Sequence, residues 1–65
     1  MARGLEELSR LSKDERFASM AVGDQIALDA DFDEATKIAG MLDRRFARGH
    51  EAVTADGKVF VRRRR

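Results

Sequence analysis

The sequence predicts an α+β domain in which a three-stranded sheet packs on one long helix, with a short helical segment before it. Three observations lead to this prediction. Apolar residues recur at helical spacing within residues 32–48, two strand-like runs surround an Asp-Gly pair, and a short alternating run precedes the helix. The 65 residues suffice for one domain. We expect a helical segment at residues 1–20, a β-α-β-β core at residues 21–62 and a basic tail at residues 63–65.

The helical segment begins with three leucines that recur every three residues, Leu5, Leu8 and Leu11. This spacing predicts a short helix with one leucine stripe. A helix of this length is marginal in water, so we expect the stripe to dock on the rest of the domain.

A second short helix is predicted to follow. Ser12, with Glu15 three residues later, has the pattern of a capping box. The helix would therefore start at Lys13 and direct Phe17 and Met20 inward. The pattern leaves open whether the segment forms two helices or one bent helix.

The strongest local pattern in the chain predicts a long helix from Phe32 to Arg48. Asp31 is suited to cap its N-terminus, and Glu34 completes the Asp-x-x-Glu form of the capping box. Gly49 is expected to adopt the left-handed conformation that ends a helix. The core-facing stripe consists of Ala35, Ile38, Ala39, Leu42 and Phe46.

The strands are predicted at residues 25–28, 51–55 and 58–62, the last two joined by a two-residue turn at Asp56 and Gly57. Both faces of this hairpin carry apolar residues. The pattern therefore leaves open which face meets the helix, and whether the other is covered by the N-terminal segment, a partner or a second copy. The register pairs Ala55 with Lys58, Val53 with Phe60 and Glu51 with Arg62 on one face, and leaves Ala52, Val59 and Val61 on the other.

Charge is distributed unevenly, although the formal net charge is only +1. Residues 1–16 are neutral overall, residues 17–36 carry five acids and no Lys or Arg, and residues 37–65 carry nine basic groups against three acids. Such polarity predicts two surfaces of opposite sign, which direct encounters with partners more than they direct folding.

The residue types that support catalysis are scarce. The chain has no Cys and one His, and no Ser has a base at an informative spacing, so we expect no enzyme, cofactor or metal site. His50 follows the expected helix stop and is interpreted as a surface or cap residue. Without Cys or a long apolar run, the chain is expected in the cytoplasm and not in a membrane.

Two charged sets are the candidate partner-binding residues. The acids have two interpretations, a helix cap with a solvated loop or a patch that faces a partner. The arginines would form one electropositive surface for phosphate backbones if the last strand passed near the end of the long helix, although the terminal Arg run is also typical of a solvated tail. The four Phe are interpreted as core residues. The acidic set is Asp29, Asp31, Asp33 and Glu34, and the basic set is Arg44, Arg45, Arg48 and Arg62, extended by Arg63, Arg64 and Arg65.

Residues 20–63 resemble small phage-encoded accessory proteins. The resemblance is carried by the successions at residues 21–26, 35–39, 44–46 and 56–63, which are similar to a "VG(D/E)" strand, an alanine-rich helix and a closing "DG-x-x-x-V-x-R" hairpin. Some proteins of this kind, anti-CRISPR proteins among them, occlude a surface on a host complex. No functional residue is transferred by the resemblance, because no site motif defines the group.

Together these features lead to two functional hypotheses. The first is a non-enzymatic phage or mobile-element inhibitor that binds a host protein or ribonucleoprotein complex, with a CRISPR effector among the candidates. The alternative is a small nucleic-acid-binding regulator that uses the arginine-rich surface. A homodimer is also open.

Overall fold

The structure is a computed structural model that describes residues 4–65. The predicted α+β class and the β-α-β-β order are confirmed, and the N-terminal segment forms two short helices. The elements are α1 (Leu5–Leu11), α2 (Glu15–Ala18), β1 (Gln25–Leu28), α3 (Phe32–Phe46), β2 (His50–Ala55) and β3 (Lys58–Arg63).

The three strands form one sheet in the order β1-β3-β2, and each neighbouring pair is antiparallel. The central strand is therefore β3, the last in sequence. The predicted hairpin register is confirmed at all three pairs. Its turn residues, Asp56 and Gly57, have φ values of 53° and 74°, as a type I′ turn requires.

The face of the sheet that meets α3 carries Val61, which is fully buried. Val59, Ala52, Ile26 and Leu28 lie on the same face and are half-buried against the core. The other face is here called the open face, since its residues are exposed or half-exposed and lie outside the core cluster. Its strand positions are Gln25, Ala27, Glu51, Val53, Ala55, Lys58, Phe60 and Arg62.

The N-terminal helices complete the core. Phe17 is fully buried, Leu8 is 1% exposed and Met20 is 4% exposed, so the predicted inward direction of Phe17 and Met20 is confirmed. The leucine stripe is only partly confirmed, because Leu5 is 70% exposed and Leu11 is half-buried. With seven residues, α1 reaches the core through its second turn alone.

The predicted capping box at Ser12 is wrong. Ser12 continues α1 with helical backbone angles, φ −68° and ψ −13°, whereas an N-cap needs an extended backbone. Its hydroxyl donates to the Ser9 carbonyl at 2.6 Å. Asp14 instead caps α2, and its carboxylate accepts from the Arg16 amide at 3.0 Å. The second helix therefore begins at Glu15, two residues later than predicted.

The long helix begins as predicted and ends earlier. The Asp31 carboxylate accepts from the Glu34 amide at 2.8 Å and Glu34 accepts from the Asp31 amide at 3.0 Å, which confirms the capping box. At the other end, Ala47 and not Gly49 takes the left-handed conformation, with φ 53°. Gly49 instead allows Arg65 to pack closely against it, because a Cβ at position 49 would lie 3.0 Å from Arg65 Cγ.

We predict that Leu42→Ala destabilises the domain by about 2–5 kcal/mol, because Leu42 is fully buried beneath the sheet and its removal leaves a cavity. Leu5→Ala removes the same atoms from an exposed position and is expected to change the free energy of unfolding by less than about 0.5 kcal/mol. Urea denaturation followed by circular dichroism measures both. Equal midpoints for the two variants would contradict the placement of the core.

Candidate functional site

The ends of α3 and β3 lie side by side. Because β2 starts soon after α3 and pairs antiparallel with β3, the last residues of the chain return to the helix end. The Gly49 carbonyl accepts from the Arg64 amide at 2.8 Å and from the Arg65 amide at 3.4 Å, so two residues oppose one, as in a β-bulge. The last strand therefore passes near the end of the long helix, which was the condition for one electropositive surface. Residues 63–65 are held in place by hydrogen bonds.

Some of these arginines are used inside the molecule. Arg48 donates through Nη2 to the Phe17 carbonyl and lies 4.5 Å from the centre of the Phe46 ring. Arg63 donates through Nη1 to the Met20 carbonyl at 2.6 Å. Burial, together with nearby Arg63, lowers the pKa of Arg48 from its ordinary value. The structure thus gives Arg48, a predicted partner-binding residue, an internal role in holding the N-terminal segment.

His50 is buried at 5% exposure, so its interpretation as a surface residue is wrong. The Asp43 carboxylate accepts from the His50 amide at 2.6 Å and lies 2.8 Å from Nδ1. Nε2 accepts from Arg48 Nε at 3.2 Å, which assigns the ring proton to Nδ1. An Asp-His pair of this kind resembles a catalytic arrangement, but the nitrogen that would face a substrate is bonded to Arg48.

The signal for His50 was present in the sequence. Extending the hairpin register by one pair beyond Glu51 and Arg62 sets His50 opposite Arg63, on the same face as Val61. The predicted strand begins only at Glu51, because the residues around Gly49 carry both the pattern that ends a helix and the pattern that begins a strand.

The remaining arginines of the basic set lie at the end of the molecule where α3 and β3 finish, here called the basic end. All are exposed. Arg45 Nη1 donates to the Ser12 carbonyl at 3.4 Å, and its Cζ atom lies 5.3 Å from the centre of the Phe46 ring. Arg62 pairs with Glu51 at 3.3 Å on the open face, and its side chain is 45% exposed. The basic end consists of Arg44, Arg45, Arg62, Arg64 and Arg65.

The acidic set lies at the opposite end of α3, about 22 Å away for a helix of 15 residues. Glu34 is 7% exposed and Asp31 bonds with it in the capping box, so the cap interpretation is confirmed for this pair. Asp33 is exposed in the first turn of the helix. Asp29 is exposed and lines a shallow depression beside the β2–β3 turn, with Lys58. The set therefore divides into one buried acid and three exposed ones.

The phenylalanines do not all belong to the core. Phe17 is fully buried and Phe46 packs against the core beneath two arginines, as predicted. Phe32 is 50% exposed, and Phe60 lies half-buried on the open face, outside the core cluster. The core interpretation is wrong for these two, since Phe32 is exposed at the first position of α3 and the strand register directs Phe60 away from α3.

Within residues 4–65, no three His, Asp or Glu side chains lie close enough to hold a metal ion. No helix in the same part of the chain is long and apolar enough to cross a membrane. No protein-family model, curated protein or solved structure matches this chain.

We predict that Arg48→Met destabilises the fold by about 1–3 kcal/mol. Methionine keeps much of the apolar stem, but the Phe17 carbonyl and His50 Nε2 both lose a donor in a partly buried place. Arg44→Met, the same change at an exposed position, is the control, with an expected effect below about 0.5 kcal/mol. Urea denaturation of both variants measures the difference, and an Arg48→Met protein as stable as Arg44→Met would contradict the internal role.

Proposed function

We propose that this protein is a non-enzymatic module that binds nucleic acid through its basic end. The observation that carries the proposal is the gathering of five exposed arginines from separate parts of the chain at one end of the molecule. Guanidinium groups suit phosphate because their planar donors form paired, charge-assisted hydrogen bonds with its oxygens.

The fold does not require all five arginines of the basic end. Arg44 and Arg45 complement the negative end of the α3 dipole, which is a sufficient structural reason for those two. Arg62, Arg64 and Arg65 belong to no helix, and the described fold would keep its backbone pairing with neutral residues there. Their accumulation beside the helix end raises the local positive potential, which attracts a polyanion and speeds encounter.

The second candidate is the inhibitor of a host protein or ribonucleoprotein complex, for which the cytoplasm is the proposed location. One observation favours it, the exposed acids Asp29, Asp31 and Asp33 at the end opposite the arginines. A partner with complementary basic residues would bind there. The phage origin and a CRISPR effector as target stay predictions from the sequence resemblance.

We predict that fluorescence anisotropy detects binding to labelled oligonucleotides, and that the affinity falls as salt rises from about 50 to 200 mM. The slope of log K against log salt is expected near −0.7 per phosphate contact on single strands and −0.9 on duplexes. Arg44→Glu should weaken binding and make the slope shallower. Lys37→Glu makes the same charge change at an exposed site in the middle of α3, away from the basic end, and should change both far less.

Absence of binding to DNA and RNA at the lowest salt would overturn the nucleic-acid proposal. A pull-down from host lysate then tests the second candidate, with nuclease treatment and with Asp29→Lys plus Asp33→Lys as the variant. A stoichiometric protein that survives nuclease and is lost with this variant supports the inhibitor. Recovery that is unchanged by the acid-to-lysine variant contradicts the acidic contact.

A further inference from the structure

The open face carries a line of positive charge along its central strand. The outward positions of β3 are Lys58, Phe60 and Arg62. Beyond the strand, Arg64 Cβ and Arg65 Cγ lie 3.6 and 3.0 Å from the place where a Cβ of Gly49 would be. Gly49 directly precedes β2. Lys58 and Arg62 thus lie on either side of Phe60 along β3, and Arg64 and Arg65 continue the line of cations beyond the strand.

Phe60 occupies the middle of this face. The register sets it opposite Val53 on β2 and opposite Ala27 on β1. Both neighbours are smaller than the ring, so Phe60 is the most prominent apolar group of its row. A cross-strand pair with Val53 supports the hairpin, but Leu or Ile would serve that purpose as well. An aromatic ring in this position adds a flat surface on which a planar group can stack.

We propose that the open face binds single-stranded nucleic acid, with one base stacked on Phe60 and the neighbouring phosphates on the cations of β3 and its extension. The inference rests on the proposed function and adds the way in which the nucleic acid binds. Unpaired bases present their flat sides to aromatic residues on sheet surfaces, as in common single-strand-binding folds. In a duplex the bases are already stacked on one another, so a ring on a sheet face has no base to receive.

Among the strand positions of this face, the opposing charge is a single carboxylate. Glu51 is the only acid among the outward strand positions, all of which lie in the described part of the chain. Its Oε2 atom is 3.3 Å from Arg62 Nη2. An incoming phosphate competes with Glu51 for the Arg62 guanidinium. Glu51→Gln should therefore tighten binding at low salt, and the gain should shrink as salt rises because the effect is electrostatic.

The test compares Phe60→Leu with wild type, using a labelled single strand of about 15 nucleotides, its RNA counterpart and the matched duplex. Loss of one base stack is expected to weaken single-strand binding by roughly 5- to 150-fold. The slope of log K against log salt should stay unchanged, because the substitution removes no charge. Phe32→Leu, the same change at an exposed ring on α3, is the matched control and should bind as wild type does.

The outcomes separate the two proposals. If wild type binds no nucleic acid, the proposed function fails. If wild type binds and Phe60→Leu equals Phe32→Leu, or the duplex binds more tightly than the single strand, the stacking mode alone fails. A dimer in light scattering that Phe60→Leu disperses would also overturn it, since a second copy would then cover the face.

Folding of Phe60→Leu is checked by circular dichroism. If this variant does not fold, amide chemical shifts of the wild-type protein on addition of the single strand decide the question. Shifts centred on β3 and its neighbours support the stacking mode. Shifts confined to the last turn of α3 contradict it and leave binding to the helix end.

Discussion

One chain of hydrogen bonds joins the end of α3 and the start of β2 to the distant helix α2. It runs from Asp43 on α3 through His50 at the start of β2 to Arg48 in the linker, and from Arg48 to the carbonyl of Phe17 on α2. Each member supplies the partner that the next one needs, and a buried polar group without a partner costs about 1–3 kcal/mol. Because Phe17 is the largest fully buried side chain, the core depends on this attachment.

The same constraint divides the arginines between two tasks. Arg48 and Arg63 donate to the Phe17 and Met20 carbonyl oxygens, at the C-terminal end of the N-terminal helical segment. The neighbours of Arg63 in sequence, Arg62 and Arg64, are exposed. Within this run of basic residues, the alternation of a β-strand therefore separates Arg63, which is bonded to the N-terminal segment, from arginines that face solvent.

The open face follows from the size of the domain. With 65 residues there is one long helix, and it covers one side of the sheet while the short helices pack beside it. Antiparallel sheets tolerate a solvated face because their outward residues can be polar. Here that face holds Lys58, Arg62 and Glu51 around Phe60, so the side of the sheet that contributes least to the core carries both charged groups and an aromatic ring.

Several features were determined by the sequence itself, because their causes lie within a few residues. The capping box at Asp31 and Glu34 and the type I′ turn at Asp56 and Gly57 need only local backbone geometry, and the hairpin pairs follow from the turn length. The sequence likewise predicts the separation of acidic and basic charge along α3, because a helix holds the residues at its two ends far apart. Local reasoning failed at Ser12, where the continuing helix and the nearby Asp14 competed for the role of cap.

Tertiary structure decided the rest, because it concerns partners distant in sequence. Which hairpin face meets α3 and the internal role of Arg48 depend on contacts between elements that are distant in sequence, such as the bond from Arg48 to the Phe17 carbonyl 31 positions away. No periodicity distinguishes Arg48 from Arg45, although one donates to a carbonyl beneath the helix end and the other extends largely into solvent. The sequence supplied the set of charged candidates, and packing selected those that remain most available, because a guanidinium that donates to interior acceptors has fewer donors left for a phosphate.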